Sequence, residues 1–370
     1  MLPCGDAIVI RTYLTTPELR RFFWRAIAPA LAMARERHWY PVAYARRGWL
    51  HGPHADLVLR TPYSTPPGIE ELSGLLRAAA GAVPASSGEP DEEAYLRQAR
   101  LLGRLEGEPG PYLPLEAHGS VRILTEPRAA VTVNDPRTVL AQARDDVRTM
   151  LTGALTPGES RTADPGAWTA YLAGAFVEAA ALVPGGLPLG SLSFRSHAEA
   201  FLATTAGTHD YRADFTARLD ADRSVLAPLV RERMESGVPG APGAGTWQAA
   251  LREAWGYLGA LSATGALDDA AIDEAARART ARPAAGTASS FHAALAETGW
   301  TKRRPSWFAP YRALLNFLYE SLPLLDVSPL DRYYLCFAVC QCVDEAQGED
   351  WRERLARNAP ALRRSGPAAR

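Results

Sequence analysis

In the first 130 residues, segments with a strand-like hydrophobic pattern alternate with segments whose hydrophobic residues recur at helical spacing. Four segments rich in β-branched and aromatic residues are typical of strands, namely 7–14, 39–48, 55–62 and 119–126. Apolar residues recur at helical spacing in segment 15–37, where Pro29 predicts a kink, and again in 68–83. The resulting order, βαββαβ, predicts a ferredoxin-like sheet covered on one face by two helices.

From Asn134 onward the pattern favours helices, separated by joints rich in proline and glycine such as 183–190. We therefore predict an α+β fold. It comprises a ferredoxin-like part at residues 1–130, a mostly helical part at 131–356 and a loosely ordered tail at 357–370. The acidic stretch 86–93 is predicted to be mobile.

The composition excludes several classes of protein. A chain of 370 residues with 47% hydrophobic and 22% charged residues is typical of a folded protein, and its net charge of −1 gives no general attraction to nucleic acid. Lys302 is the only lysine, so the Gly-Lys-Ser/Thr tripeptide of a P-loop is absent. The N-terminus lacks the pattern of a signal peptide, and no uncharged run has the length of a membrane helix. We expect a cytoplasmic protein that binds neither nucleic acid nor membranes.

Two histidines, His51 and His54, flank a Gly-Pro turn between predicted strands. Their H-x-x-H spacing is compatible with zinc, but a zinc site needs at least a third ligand that the local sequence does not offer. The polar end of a hairpin is the preferred interpretation.

The cysteines Cys336, Cys340 and Cys342 lie close together on a predicted helix. They form no Cys-x-x-Cys pair and no histidine follows them. We predict buried cysteines that pack as small hydrophobic residues.

Two helical segments combine hydroxyl, aromatic and cationic side chains. "SFRSHAEAF" places Arg195, Ser196 and His197 together. In a later segment, Arg312, Asn316 and Tyr319 are spaced i, i+4 and i+7 and share one helical face. From composition alone, this face fits a pocket and the polar outer stripe of an amphipathic helix equally well.

Three motifs in order along the chain carry a resemblance to a known family. They are "RRGWLHGPHADLVLR", "SFRSHAEAFLA" and "YRALLNFLYESLPLLDVSPLDRYYLC". Together they resemble the thiopeptide-type bacteriocin biosynthesis proteins, which are stand-alone relatives of the glutamate-elimination domain of class I lantibiotic dehydratases. The resemblance implies either glutamate elimination from glutamylated Ser or Thr, or a formal [4+2] aza-cycloaddition of two dehydroalanines. The cycloaddition forms the pyridine-centred macrocycle of a thiopeptide, with loss of water and leader peptide.

Departures from the elimination domains favour the pyridine synthase. Those domains carry an Arg-x-Arg pair where this chain has Val58 and Arg60, and a His-x-x-x-Asn motif where it has Arg312 and Asn316. Elimination needs cations for the departing carboxylates and a base for the α-proton. A split elimination enzyme and a non-catalytic leader-binding subunit remain alternatives.

The resemblance leads to the following expectations for the site. Tyr319 is the first choice as acid/base, and the other candidates are Tyr311, Ser289, Ser290 and His197. The candidates for substrate contact are Arg312, Asn316, Arg195, His54, Arg60, Trp300 and Trp307. No metal, nucleotide or flavin cofactor is implied.

The expected partner is a precursor peptide with a leader that is often acidic. The N-terminal segment is rich in arginine, and leader contact is expected from Arg20, Arg21, Arg25, Arg46 and Arg47. An ordinary solvated surface is an equally good interpretation of these arginines.

Overall fold

The structure is a computed structural model. It describes residues 6–14, 19–60, 66–85, 91–106, 108–126, 135–154, 164–236, 244–267, 269–279, 289–298 and 304–364. The chain divides into two compact units. The first comprises Met1–Glu159, Asp269–Ala281 and Asn316–Val327, and the second comprises Ser160–Asp268, Arg282–Leu315 and Ser328–Arg370. Both units are discontinuous in sequence, whereas the sequence predicted a single boundary after residue 130.

A four-stranded antiparallel sheet is the centre of the first unit. Its strands are β1 (Ala7–Tyr13), β2 (Val42–Gly48), β3 (His54–Arg60) and β4 (Val121–Glu126), in the order β2-β3-β1-β4. This is the ferredoxin-like order, so the predicted α+β class with its N-terminal sheet is confirmed.

The helices of the first unit connect these strands, and one of them, α4, was not predicted from the sequence. Helix α1 (Leu19–Phe22) continues through a π-helical segment (Phe23–Ile27) into α2 (Ala28–Glu36), and α3 (Ile69–Gly81) follows β3. Pro29 lies at the start of α2, directly after the π-helical segment. A further helix, α4 (Glu92–Glu106), begins within the stretch predicted to be mobile, where Asp91 accepts a hydrogen bond from the Ala94 amide at 2.9 Å.

Two later helices also belong to the first unit. Helix α5 (Pro136–Ala154) packs on β2, and α10 (Asp269–Arg279) packs on α5. Tyr44 and Arg60 both bind Asp145 of α5, so α5 covers the sheet face that carries these side chains. This packing explains why the first unit extends past residue 130.

The second unit is helical. Its elements are α6 (Pro165–Ala181), α7 (Gly186–Thr205), α8 (Tyr211–Ser236), α9 (Ala244–Ala263), α11 (Ser290–Glu297), α13 (Pro329–Gln347) and α14 (Trp351–Arg364). One helix, α12 (Phe308–Ser321), contributes residues to both units and is followed by a 3₁₀ turn (Leu322–Leu325). Helix α13 packs on α6, α7 and α8.

Close packing of the second unit depends on a glycine. A Cβ at Gly190 of α7 would overlap the carbonyl oxygen of Ala180 in α6, so only glycine allows this approach. Cys336, Cys340 and Cys342 are buried thiols of α13, which fits the prediction that they pack as hydrophobic residues.

The last helix of the second unit, α14, enters the C-terminal segment 357–370. The structure describes α14 as helical through Arg364, so most of the segment predicted to be a loosely ordered tail is helix. Trp351 and Leu355 of this helix pack with Leu192 and Phe291, and this contact accounts for its order.

Within the described part of the chain, no single helix combines the length and apolarity needed to cross a membrane. The pair α6 and α7 meets both criteria only when taken together, and its two helices are bent by 112°.

Candidate functional site

The H-x-x-H turn of the first unit forms a hairpin end. His54 is fully buried at the start of β3, with Nδ1 2.9 Å from the Gly52 carbonyl oxygen and Nε2 without a hydrogen-bond partner. Burial lowers the pKa of His54 to about 4, against the opposing charge of Asp56. His51 Nδ1 lies 3.1 Å from the Pro114 carbonyl oxygen. Among the described residues, no group of three or more His, Cys, Asp or Glu side chains is arranged to hold a metal ion.

A buried carboxylate holds two arginines of the sheet. Asp56 accepts two hydrogen bonds from Arg11, at 2.8 and 2.9 Å, and a third from Arg46 at 3.0 Å. Arg46 also pairs with Glu126. The predicted leader contact Arg46 is therefore part of an ion cluster within the sheet.

The remaining predicted cations of the first unit have different exposures. Arg60 donates from Nε to Asp145 at 2.7 Å, and the Arg47 guanidinium lies 4.5 Å from the Trp49 ring and 3.5 Å from Asp326. The Arg20 backbone amide donates to Asp326 at 3.1 Å, and its side chain is half-buried. Arg21 and Arg25 are exposed.

Two predicted site residues of the second unit lie in its core. The Tyr311 hydroxyl is fully buried and donates to the Gly190 carbonyl oxygen at 2.9 Å, and burial raises its pKa. Arg195 is buried and pairs with Asp344, which also binds the buried Arg354. These contacts give both side chains a structural role.

His197 lies in an electropositive part of the second unit. Burial, together with the neighbouring cations Arg332 and Arg312 and the His292 ring, lowers the pKa of this half-buried histidine to about 4. Because α7, α11, α12 and α13 each supply one of these groups, four separate segments of the sequence converge here. Two of the predicted site residues, His197 and Arg312, are thus brought together, along with two that the sequence did not single out.

His292 is bonded to two serine hydroxyls. Its Nδ1 lies 2.7 Å from Ser289 Oγ, and its Nε2 lies 3.0 Å from Ser196 Oγ. Ser289 is also the N-cap of α11, where it accepts from the His292 backbone amide at 3.4 Å. Burial lowers the pKa of His292, and the nearby Glu199 opposes that shift.

A cavity of about 420 Å³ opens beside these serines. Its lining consists of Glu199, Leu202, Ala203, Ala206, His209, Asp210, Tyr211, Arg212, Ser289 and Ser290. Glu199 and Arg212 form a two-point ion pair across its wall, at 2.7 and 3.2 Å. Ser289 and Ser290, both predicted from the sequence, therefore reach a cavity large enough for part of a peptide.

Helix α12 carries the predicted face of Arg312, Asn316 and Tyr319. Arg312 and Asn316 are half-buried, and Tyr319 is 7% exposed. Trp307, half-buried before the first turn of α12, has its ring centroid 6.1 Å from that of Tyr311. Trp300 lies outside the described residues.

The sequence analysis missed His292, although a local signal exists. "SSFH" has a serine three residues before a histidine at a helix start, so the two side chains lie next to each other. Its second partner, Ser196, is distant in sequence and is placed only by the packing of α11 on α7.

The fold described above is shared with a solved pyridine synthase. That structure is the pyridine synthase TbtD from thiomuracin biosynthesis; it has a TM-score of 0.66 and 24% identity, with 93% of this chain and 99% of that chain covered. The crystal structure of TsrL is also similar, with a TM-score of 0.61 and 17% identity over 99% of this chain and 100% of that one. The predicted resemblance is confirmed at the level of the fold. Neither a protein-family model nor a curated protein sequence matches the chain.

Proposed function

We propose that this protein is a pyridine synthase of thiopeptide biosynthesis. It would join two dehydroalanines of a leader-bearing, azole-containing peptide in a formal [4+2] aza-cycloaddition and release water and the leader peptide. The observation that carries the proposal is the fold similarity to TbtD, which extends over nearly the whole of both chains.

The surroundings of Val58 favour cyclisation over glutamate elimination. Val58 is fully buried in an apolar cluster with Ala7, Val9, Val42 and Tyr44, so the strand position that carries a second arginine in elimination domains is here part of the core. The remaining arginine, Arg60, is held by Asp145. This strand therefore lacks the pair of cations that would receive the departing glutamate carboxylates.

The helical unit has groups suited to the cycloaddition. One dehydroalanine must act as a 2-azadiene, with its upstream amide in the iminol form, and the other supplies two carbons. Holding both alkenes in contact can lower the barrier of the intermolecular reaction by roughly 7–11 kcal/mol. The positive charge around His197 and Arg312 would stabilise the negative charge that develops on the oxygen of the reacting amide.

Tyr319 is assigned as the acid/base that moves the amide proton, and Asn316 and Arg312 orient the amide from the same face of α12. Trp307 would stack on an azole ring of the substrate. Tyr311, Arg195, His54 and Arg60 have no direct part in this mechanism, because each is engaged in the contacts described above.

Leader recognition is assigned to the exposed cations of the first unit. The side chains of Arg21 and Arg25 are exposed to solvent, whereas those of Arg46 and Arg47 are half-buried. An acidic leader would be attracted by the exposed pair, and the affinity would fall as salt is added.

Mass spectrometry tests the proposal. The purified protein is mixed, without additives, with a leader-bearing peptide that contains two dehydroalanines and azoles. We expect a macrocyclic product together with free leader amide. An unchanged peptide, with binding of the leader alone, would identify a non-catalytic subunit instead. Glutamate release from a glutamylated version would identify an elimination enzyme.

A further inference from the structure

His292 lies between two hydroxyl groups that belong to different helices. Ser289 Oγ is 2.7 Å from its Nδ1 on the cavity side, and Ser196 Oγ is 3.0 Å from its Nε2 on α7. Ser289 lines the cavity, while Ser196 lies outside that lining and keeps part of its surface exposed. The imidazole therefore connects a cavity wall to a second, separate hydroxyl.

The hydrogen bonds between the His292 ring and the two serine hydroxyls can be arranged in two ways. A neutral imidazole has one N–H donor and one acceptor nitrogen, so one serine must donate to the ring and the other must accept from it. In the first arrangement Ser196 donates to Nε2 and Nδ1 donates to Ser289. In the second, Ser289 donates to Nδ1 and Nε2 donates to Ser196. The two arrangements differ in the tautomer of the ring and in the direction in which each hydroxyl points its hydrogen.

The surroundings keep the ring neutral. Burial lowers the pKa of His292, and α14 presents the apolar Trp351 and Leu355 to the cluster that contains its neighbour Phe291. The charged group that acts on the ring is Glu199 of α7, which is paired with Arg212 of α8. His197 of α7 adds no charge at pH 7, because its pKa is lowered to about 4. A neutral ring can both give and take a proton at pH 7.

We infer that Ser196, His292 and Ser289 form a proton relay that serves the cavity. This inference rests on the proposed function, because it supplies the proton that a departing group of the substrate needs. Water protonates Ser196 Oγ while the Ser196 hydrogen passes to Nε2. The Nδ1 hydrogen passes to Ser289 Oγ, and the Ser289 hydrogen passes to the leaving group in the cavity. Each serine loses one hydrogen and gains one, the ring changes tautomer, and hydroxide remains at the entry side.

His292→Gln tests the relay because glutamine keeps a donor and an acceptor but cannot pass a proton through a ring. Ser196→Ala interrupts the entry side, and Thr204→Ala removes another hydroxyl of α7, one that binds only its own helix at 2.8 Å. We expect kcat for macrocycle formation to fall about 10²- to 10³-fold in the first two variants, as for other proton-transfer residues. KM, leader affinity and the Thr204→Ala rate should stay unchanged. A kcat within twofold of wild type in His292→Gln would overturn the relay.

A second measurement separates this inference from the proposed function. The ¹⁵N chemical shifts of the His292 ring, recorded for the wild-type protein without substrate at pH 7, report the tautomer. We expect intermediate shifts for both nitrogens, as two exchanging neutral tautomers require. A single fixed tautomer or a charged ring would contradict the relay, whether or not the protein forms pyridine. Failure of the wild-type protein to form pyridine would contradict the proposed function.

Discussion

Two histidines, one in each unit, show how similar protonation arises from different surroundings. Burial lowers the pKa of both His54 and His197 to about 4. Around His54 the carboxylate of Asp56 opposes this shift, while Arg11 and Arg46, which bind the same carboxylate, add to it. Around His197 the neighbouring cations Arg332 and Arg312 reinforce it.

The difference separates a structural cluster from a candidate site. In the sheet, Asp56 offsets the positive charge of its neighbours, and the result is a closed network with His54 fully buried. In the helical unit, charges of the same sign converge beside a half-buried histidine. Perturbed titratable groups that converge from separate segments in this way are the feature that makes this region the candidate site.

The largest effect is expected when the sheet network is broken. Asp56→Asn leaves Arg11 buried without its carboxylate, which should cost about 3–5 kcal/mol of unfolding free energy. Urea unfolding measures this loss. The matched control is Glu126→Gln, which removes the outer partner of Arg46 and should cost less than about 1 kcal/mol. Equal losses for the two variants would show that the buried network is not the stabilising element.

Two tyrosines of α12, Tyr311 and Tyr319, are predicted to have different roles, one structural and one catalytic. Tyr319→Phe should lower kcat about 10²- to 10³-fold with little change in Tm, because the variant lacks the proposed acid/base. Tyr311→Phe removes the hydrogen bond to Gly190 and should cost about 1 kcal/mol of stability with kcat unchanged. Steady-state rates and thermal melts of both variants separate the roles. A reversed pattern would exchange the assignments of the two hydroxyls.

The two histidines predict how stability depends on pH. Their folded pKa of about 4 lies below the ordinary 6.5, so the unfolded chain binds more protons between these values. The stabilisation by the neutral rings is complete above about pH 6.5 and is lost as the pH falls towards 4. Each histidine contributes up to about 1.4 kcal/mol per pH unit in that window. Unfolding free energies at pH 7, 6 and 5 should decrease less steeply in His197→Gln, and an unchanged slope would contradict the shift at His197.

The smallest effect is expected at the leader surface. Arg21→Glu and Arg25→Glu should each weaken leader binding about two- to fivefold at low salt, and less at high salt, since exposed charges contribute little. Arg97→Glu on α4, where the native side chain is 69% exposed, is the control. Fluorescence anisotropy with a labelled leader measures the affinity. An equal decrease in all three variants would indicate a general charge effect rather than a specific surface.

Local pattern predicted much of the fold. The positions of strands β1, β2 and β3 can be predicted from their β-branched and aromatic residues. The ferredoxin-like strand order can be predicted from the order of strands and helices along the chain. Helix α4 was missed because the acidic run before it was interpreted as mobile, although acidic residues favour a helix start. Local pattern placed a boundary after residue 130. It could not predict that α5 packs on β2, because this packing depends on contacts between distant segments.

The candidate site was less predictable. Helical spacing places Arg312 and Tyr319 on one face, but it cannot show that Tyr311 lies in the core against Gly190. Arg195 and His197 are two positions apart, yet one pairs with Asp344 and the other meets cations from two other helices. His292 and Ser196 meet only because α11 packs on α7. Such convergence is tertiary and leaves no local pattern.

A competition assay distinguishes cyclisation from glutamate elimination in a single experiment. The wild-type protein is given equal amounts of a leader-bearing peptide with two dehydroalanines and of its glutamylated precursor, and the products are followed by mass spectrometry. We expect a macrocycle and free leader amide from the first peptide, with no glutamate released from the second. Glutamate release without macrocycle formation would contradict it.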